Sequence, residues 1–140
     1  MHTTVDHLHL LAALVYALLG LGLGIYMAAS QDHSQAVAHA HLLLVGFLLS
    51  FAYAVIGRLW LGKRPALLVA AQWLGHHLGV VGLVAGLLLL YSGGVALSAL
   101  EPLLAASSLS VFGALVLMSL MVAQARTAHA RPSVADPVSQ

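Results

Sequence analysis

The sequence predicts an all-α integral membrane protein, a bundle of four transmembrane helices. Of its 140 residues, 61% are hydrophobic and only 6% are charged, whereas a soluble domain carries roughly 25% charged residues. Four apolar stretches approach the roughly 20 residues that a helix needs to cross a bilayer. Runs of this length without two-residue alternation are typical of helices. A core this small cannot bury so much apolar surface, so we expect the lipid bilayer to solvate most of the chain.

The four predicted spans are separated by short turns that contain serine, glycine and proline. They are Leu8–Ala29, Ala38–Trp60, Ala66–Tyr91 and Pro102–Ala125. Pro65 and Pro102 stand where a helix can begin, because a proline in the first turn gives up no needed hydrogen bond. The first span follows no basic residue and is longer than the apolar part of a signal peptide, so we interpret it as a membrane span.

The basic residues predict the orientation of the bundle. All five fall on the side that also holds the N-terminus of a four-span chain: Arg58, Lys63, Arg64, Arg126 and Arg131. The positive-inside rule places this side in the cytoplasm, so both termini are expected there. Residues 1–126 then form the four-span bundle, and residues 127–140, which include two prolines, form a disordered cytoplasmic tail.

The composition excludes several classes of function. A net charge of +1 is too small for the electrostatic capture of nucleic acid. The absence of cysteine excludes disulfides, thiolate zinc sites, iron–sulfur clusters and covalently attached haem. Histidine is enriched instead, with nine copies against four acidic and five basic residues. The histidines are therefore the main indication of function.

Small residues recur at helical spacing along the spans, as in helices that approach one another closely. In the third span one face holds Gln72, Gly75, Gly79, Gly82 and Gly86, and in the first span one face holds His9, Ala13, Tyr16, Gly20, Gly24 and Met27. Such faces can hold a helix bundle together, or they can make room for a flat cofactor. The sequence leaves both interpretations open.

Besides His9 at the very start of the first span, four histidines lie inside the predicted spans, where an imidazole is costly and usually faces a partner or a cavity. They are His39, His41, His76 and His77. Neutral imidazole is the form that ligates metals. Because the spans offer no cysteine and no buried carboxylate, haem iron suits these ligands best, since the porphyrin supplies four nitrogens and the protein only one or two imidazoles. Copper held by histidines alone is the alternative.

The other histidines are predicted to lie at the membrane boundary or in a turn. They are His2, His7, His9, His33 and His129. We expect these to be solvated or interfacial, with metal binding as the less favoured interpretation. His9 is the best exception, because it shares the small-residue face of the first span.

Several short motifs resemble those of the catalytic-subunit superfamily of heme–copper oxidases and nitric oxide reductases. His39-Ala40-His41-Leu42 with Gly46 resembles the histidine-pair helix of that superfamily. The order of Gly24 to Met27, Asp32-His33, the histidine pair, and Trp73-Leu74 before His76 or His77 is similar to short bacterial membrane proteins described as cytochrome c oxidase subunit I-like. The resemblance covers roughly residues 16 to 80. Leu43 departs from it, because a polar residue is expected there.

The resemblance implies haem b held by His39 or His41 and by a third-span histidine, His76 or His77, in a bacterial inner membrane. A chain of 140 residues cannot supply the full set of haem and copper ligands or the proton channels of a complete oxidase subunit. Dioxygen reduction with proton pumping is therefore not expected, and no catalytic residue is assigned.

Our leading hypothesis is a small b-type haem protein with His39 and His76 as axial ligands, and with His41 and His77 as reserve ligands or ligands of a second haem. Two axial imidazoles would favour electron transfer with a redox partner or quinol, and one would leave iron open to a small gas. Ser50, Tyr53 and Gln72 are expected to hydrogen-bond a ligand imidazole or a propionate.

A homodimer is expected, because His76 lies roughly 10–15 Å deeper in the membrane than His39 at a rise of about 1.5 Å per residue. Two alternatives remain. One is a copper-binding or oxidase-assembly protein without haem that uses His33, His39 and His41. The other is a structural subunit whose histidines only join helices.

Overall fold

The computed structural model describes residues 2–62 and 64–129, and every regular element in them is helical. The helices are α1, His2–Ser30; α2, Ala36–Trp60; α3, Ala66–Tyr91; and α4, Leu97–His129. Each contains a stretch long and apolar enough to cross a membrane. The predicted all-α architecture with four apolar spans is confirmed at that level.

The bounds of the helices agree with the sequence prediction to different degrees. Helix α3 has the predicted ends, with Pro65 just before its first residue. The predicted start of α4 is wrong, because the helix begins at Leu97 and contains Pro102 in its second turn. Leu100 in the added turn is only 6% exposed, so its packing stabilises that turn. Helix α4 also includes Thr127–His129, which the sequence assigned to the tail, and residues 130–140 lie outside the described part.

Helix α2 is π-helical over Leu42–Leu48, a segment that ends at the midpoint of the helix. This segment follows His41 directly and is preceded and followed by ordinary α-helix. Single π-helical turns inside α-helices occur frequently at functional sites. The sequence did not predict this feature, since the segment reads as a plain apolar run with one glycine, Gly46.

Helix α3 is the most buried of the four apolar helices. It packs along α4 on one side and meets α1 and α2 on the other, while the described parts of α1 and α4 make no close backbone approach. The bundle thus consists of two helical hairpins, α1–α2 and α3–α4, which meet mainly through α3. At the basic end α4 also reaches α2, where Met118 and Met121 pack in one buried cluster with Tyr53.

The glycine face of α3 is occupied by α4. A Cβ added to Gly79 would lie 2.9 Å from the carbonyl oxygen of Ser107 and 3.0 Å from the amide nitrogen of Val111. A Cβ added to Gly86 would lie 2.7 Å from Cδ2 of Leu104. These glycines let the two helices approach closely, as small residues do in membrane bundles. Of the two interpretations left open by the sequence, helix packing describes this face.

The two ends of the bundle differ in charge. At one end Arg64, in the α2–α3 turn, lies 3.2 Å from a carboxylate oxygen of Asp6 on α1, and it also donates to the carbonyl oxygen of Gly57 at 3.2 Å. At the other end Gln35 donates to the carbonyl oxygen of Leu88 at 3.3 Å. The start of α1 and the α2–α3 turn therefore share one end, as a four-span chain requires.

Candidate functional site

Three histidines converge where α1, α2 and α3 meet. The ring centroid of His77 lies 5.0 Å from that of His9 and 4.9 Å from that of His76. The three side chains are buried, with exposed fractions of 2% for His9, 0% for His76 and 7% for His77. Because adjacent helical residues point about 100° apart, His77 faces α1 while His76 faces α2. The boundary histidines are expected from the sequence to be solvated or interfacial, with His9 as the best exception. The burial of His9 agrees with that exception.

His77 lies in the middle of a chain of hydrogen bonds. The hydroxyl of Tyr16 donates to Nδ1 of His77 at 3.1 Å, Nε2–H of His77 donates to Nδ1 of His9 at 3.1 Å, and Nε2–H of His9 donates to Oε1 of Gln72 at 3.0 Å. A neutral imidazole has one donor and one acceptor nitrogen, so the amide oxygen at the end of the chain fixes every donor along it. Both ring nitrogens of His9 and of His77 are thereby engaged.

His76 is bonded through only one ring nitrogen. A hydrogen bond of 2.8 Å joins its Nε2 to Oγ of Ser50 on α2, and the ring of Tyr53 lies edge-on at a centroid distance of 4.9 Å. Its Nδ1 is buried and has no partner among the described residues, and the same holds for the hydroxyl of Tyr53. Ser50 thus bonds a predicted ligand, His76, as expected. Gln72 bonds His9 instead, and the Tyr53 hydroxyl bonds no described residue.

His39 and His41 lie apart from the three-histidine cluster, near the other end of the bundle. Nδ1–H of His39 donates to the carbonyl oxygen of Gly20 on α1 at 2.8 Å. Nδ1–H of His41 donates to the carbonyl oxygen of Val37, one turn earlier in its own helix, at 2.8 Å. A carbonyl oxygen can only accept, so in a neutral ring Nε2 carries the lone pair. Both side chains are half-buried, and neither Nε2 has a partner among the described residues.

The structure does not bring His39 to His76 within one chain. Ser50, which contacts His76, follows His39 by 11 residues, which corresponds to roughly 15 Å along a helix. Two nitrogens on one metal ion are only about 4 Å apart, because each metal–nitrogen bond is roughly 2 Å. A haem that joins this pair would have to take the two imidazoles from different subunits, and that arrangement stays a prediction.

The predicted ligands of a copper site are not assembled either. Among residues 2–62 and 64–129, no three histidine, aspartate or glutamate side chains lie close enough to hold a metal ion together. His33 is exposed in the α1–α2 turn, and His7 is exposed near the start of α1. The side chains of His2 and His129 lie outside the described part of the structure.

Sequence reasoning missed the buried ion pair between Asp6 and Arg64. The two side chains are 10% and 7% exposed, so this pair belongs to the interior of the basic end. The sequence did indicate that Asp6 could be buried, since it stands one helical turn before His9 on the same face of α1. Arg64 could not be matched to it, because the sequence places this arginine in a turn and does not show where the turn folds back.

Comparison with family models, with curated proteins and with solved structures gives no match for this chain. Its function is therefore argued from the two histidine groups themselves.

Proposed function

We propose that the chain is a small integral-membrane b-type haem protein in which the imidazoles of His39 and His41 would hold haem iron. One observation carries the proposal: each ring donates Nδ1–H to a backbone carbonyl oxygen at 2.8 Å and keeps Nε2 free. Histidines that ligate metals almost always donate their other ring N–H to a carboxylate, a carbonyl or a water. The motif around these two residues, which resembles that of heme–copper oxidase subunits, agrees with this assignment.

The imidazoles of His39 and His41 would ligate iron at two different sites. A separation of two residues along a helix corresponds to about 200° of rotation. The side chains of His39 and His41 therefore point to nearly opposite sides of α2 and cannot chelate one ion together. His39 is held against α1 through Gly20, whereas among the described residues His41 bonds only to Val37 of its own helix. We therefore place His39 at an intrachain site and His41 at the contact with a second copy, in a homodimer.

The surroundings of His39 orient its ring. Gly24 leaves the space that the ring occupies, because a Cβ there would lie 2.9 Å from Cε1. The Gly20 carbonyl accepts the hydrogen bond from Nδ1–H and so holds the ring plane. The hydrogen-bond chain from Tyr16 through His77 ties α1 to α3 and so keeps the Gly20 carbonyl in place relative to α2.

Bound haem would supply one-electron chemistry when two imidazoles ligate the iron, and a site for a small gas when one does. His77 is not a ligand in this arrangement, because both of its ring nitrogens are engaged. His76 keeps an unpartnered Nδ1 and is the third-span candidate for a second haem. The basic end and both termini face the cytoplasm of a bacterial inner membrane by the positive-inside rule.

The visible absorption spectrum of the purified protein tests the proposal. We expect protein from haem-supplied cells to show a Soret band that shifts on reduction. His39→Ala and His41→Ala should each lower the haem content at least twofold or shift the band. His33→Ala, an exposed histidine at the same end, is the control and should leave the spectrum unchanged.

Three outcomes would contradict the proposal in whole or in part. Protein that stays colourless after reconstitution with haem would overturn haem binding, and stoichiometric copper without a Soret band would replace it with the copper alternative. A Soret band that survives unchanged in both histidine variants would overturn the ligand assignment alone.

A further inference from the structure

An open groove of about 700 Å³ lies between the first turns of α1 and the last turns of α2. Its walls are apolar along most of their length and polar at one end. The apolar walls include Leu10, Phe51, Val55 and Leu59, and the polar end carries His7 and Arg58. The groove lies at the basic end of the bundle, away from His39 and His41, so its occupancy is independent of the proposed haem.

The charges at the groove do not balance. The carboxylate of Asp6, which also lines the groove, is already bonded to Arg64 at 3.2 and 3.4 Å. Arg58 is exposed at the mouth and makes no ion pair or hydrogen bond with any described residue. Asp6 and Arg64 cancel, so the guanidinium of Arg58 leaves the groove with one uncompensated positive charge. An occupant with an anionic group would neutralise it.

The depth of the groove restricts the shape of that occupant. Arg58 lies two residues before the end of α2 at Trp60, at the level where a membrane helix leaves the hydrocarbon region. Phe51 lies seven residues earlier, roughly 10 Å deeper at a rise of about 1.5 Å per residue. A single cation at the interface above an apolar wall of this length matches a phosphate headgroup attached to an acyl chain.

We propose that this groove binds an anionic phospholipid. The phosphate accepts charge-assisted hydrogen bonds from the Arg58 guanidinium, whose planar fork matches the geometry of phosphate oxygens. The imidazole of His7, on the facing helix, supplies a further donor. One acyl chain lies along Leu10, Phe51 and Val55, where it covers apolar surface that no other part of the described chain covers.

Native mass spectrometry of the detergent-solubilised protein tests this, with phosphatidylglycerol, phosphatidylcholine and a neutral isoprenoid quinone as probes. We expect phosphatidylglycerol to bind at least tenfold more tightly than phosphatidylcholine. Arg58→Gln should abolish that preference, and Arg58→Lys should retain part of it. Arg126→Gln removes the same charge from α4 at the same end and is the matched control, which should keep the preference.

A second variant tests the apolar part of the groove. Ala54, which is 7% exposed, also lines it, so Ala54→Leu should weaken phosphatidylglycerol and phosphatidylcholine alike, with the helical circular dichroism unchanged. Equal affinities for the two phospholipids in the unmodified protein would overturn the proposal. So would an equal effect of Arg58→Gln and Arg126→Gln, or tighter binding of the quinone than of phosphatidylglycerol.

Discussion

Replacement of Gly24 by alanine tests whether α1 positions the imidazole of His39. An added Cβ would lie 2.9 Å from Cε1 and 3.4 Å from Nδ1 of that ring, whereas carbon atoms in contact are normally about 3.5–4.0 Å apart. The ring would therefore move by roughly 0.6–1 Å. Gly20 lies one turn before Gly24 on the same face, so this movement also separates Nδ1 from the Gly20 carbonyl oxygen. The present distance of 2.8 Å would then exceed the roughly 3.2 Å of a good hydrogen bond.

The expected effect on stability is small, and the expected effect on the site is large. A lost hydrogen bond costs about 0.5–1.5 kcal/mol, while alanine gains about 0.8–1.0 kcal/mol over glycine inside a helix. The free energy of unfolding should therefore change by less than about 1 kcal/mol. Loss of the partner that orients a metal-ligating histidine usually weakens binding about 10- to 100-fold, so Gly24→Ala should weaken haem binding at least tenfold.

The assay compares Gly24→Ala with Gly22→Ala, because a Cβ added to Gly22 meets nothing within 4 Å. Long-range ¹H–¹⁵N spectra of the histidine rings report whether Nδ1 of His39 keeps its bonded proton, and haem titration followed by absorption reports affinity. A Gly24→Ala protein that keeps the Nδ1–H signal and the haem affinity of Gly22→Ala would show that α1 does not position His39. The ring spectra decide the geometry even if neither protein takes up haem.

Three further predictions concern the bundle and its α1–α2 turn. Gly79→Ala should destabilise the protein by about 1–3 kcal/mol, because its Cβ would lie 2.9 Å from a backbone oxygen of α4. Gly75→Ala, whose Cβ would have its nearest neighbour at 3.7 Å, should not destabilise it. Unfolding in mixed micelles measures both variants, and equal stabilities would contradict the helix packing assigned to this glycine face. His77→Phe leaves the Tyr16 hydroxyl and Nδ1 of His9 without their partner and should lower the free energy of unfolding by about 2–4 kcal/mol. Tyr26→Phe, at a 60% exposed position, is the neutral control. Similar unfolding curves for the two variants would disprove the hydrogen-bond chain. Asp32 accepts a hydrogen bond from the backbone N–H two residues on, which holds its pKa below the ordinary value. The contribution of this carboxylate to the stability of the turn is therefore fully present above the unfolded pKa of a carboxyl and is lost as pH falls through the lower folded pKa. An NMR titration with a midpoint at or above the ordinary value would refute this.

The sequence predicts the helices of this protein better than it predicts their contacts. Hydrophobic length locates all four spans, and breakers fix both ends of α3. Pro102 misplaces the start of α4, because a proline in the second turn removes only one hydrogen bond, and the packing of Leu100 stabilises the turn before it. The π-helical segment Leu42–Leu48 has no local signal, since it depends on how α2 packs against its neighbours.

The same limit applies to the histidines. Helical periodicity places His9 and Tyr16 on one face of α1, and it separates His76 from His77 on α3. It does not show how far α1 is shifted along α3, and that shift is what brings His9 within 3.1 Å of His77. The separation of His39 from His76 within one chain, in contrast, follows from the sequence, because the rise of about 1.5 Å per residue already places His76 roughly 10–15 Å deeper than His39.

The two histidine groups differ in the number of ring nitrogens that the protein itself engages. Lipid provides no hydrophobic force between helices, so hydrogen bonds and close packing hold a membrane bundle together. His77 spends both nitrogens on such bonds, which makes it a joint between α1 and α3. A metal ligand needs one nitrogen to fix the ring and the other to keep its lone pair, and His39 has that arrangement. The deeply buried His77 therefore serves to hold helices together. The half-buried pair His39 and His41 keeps the ring nitrogens that a metal could bind.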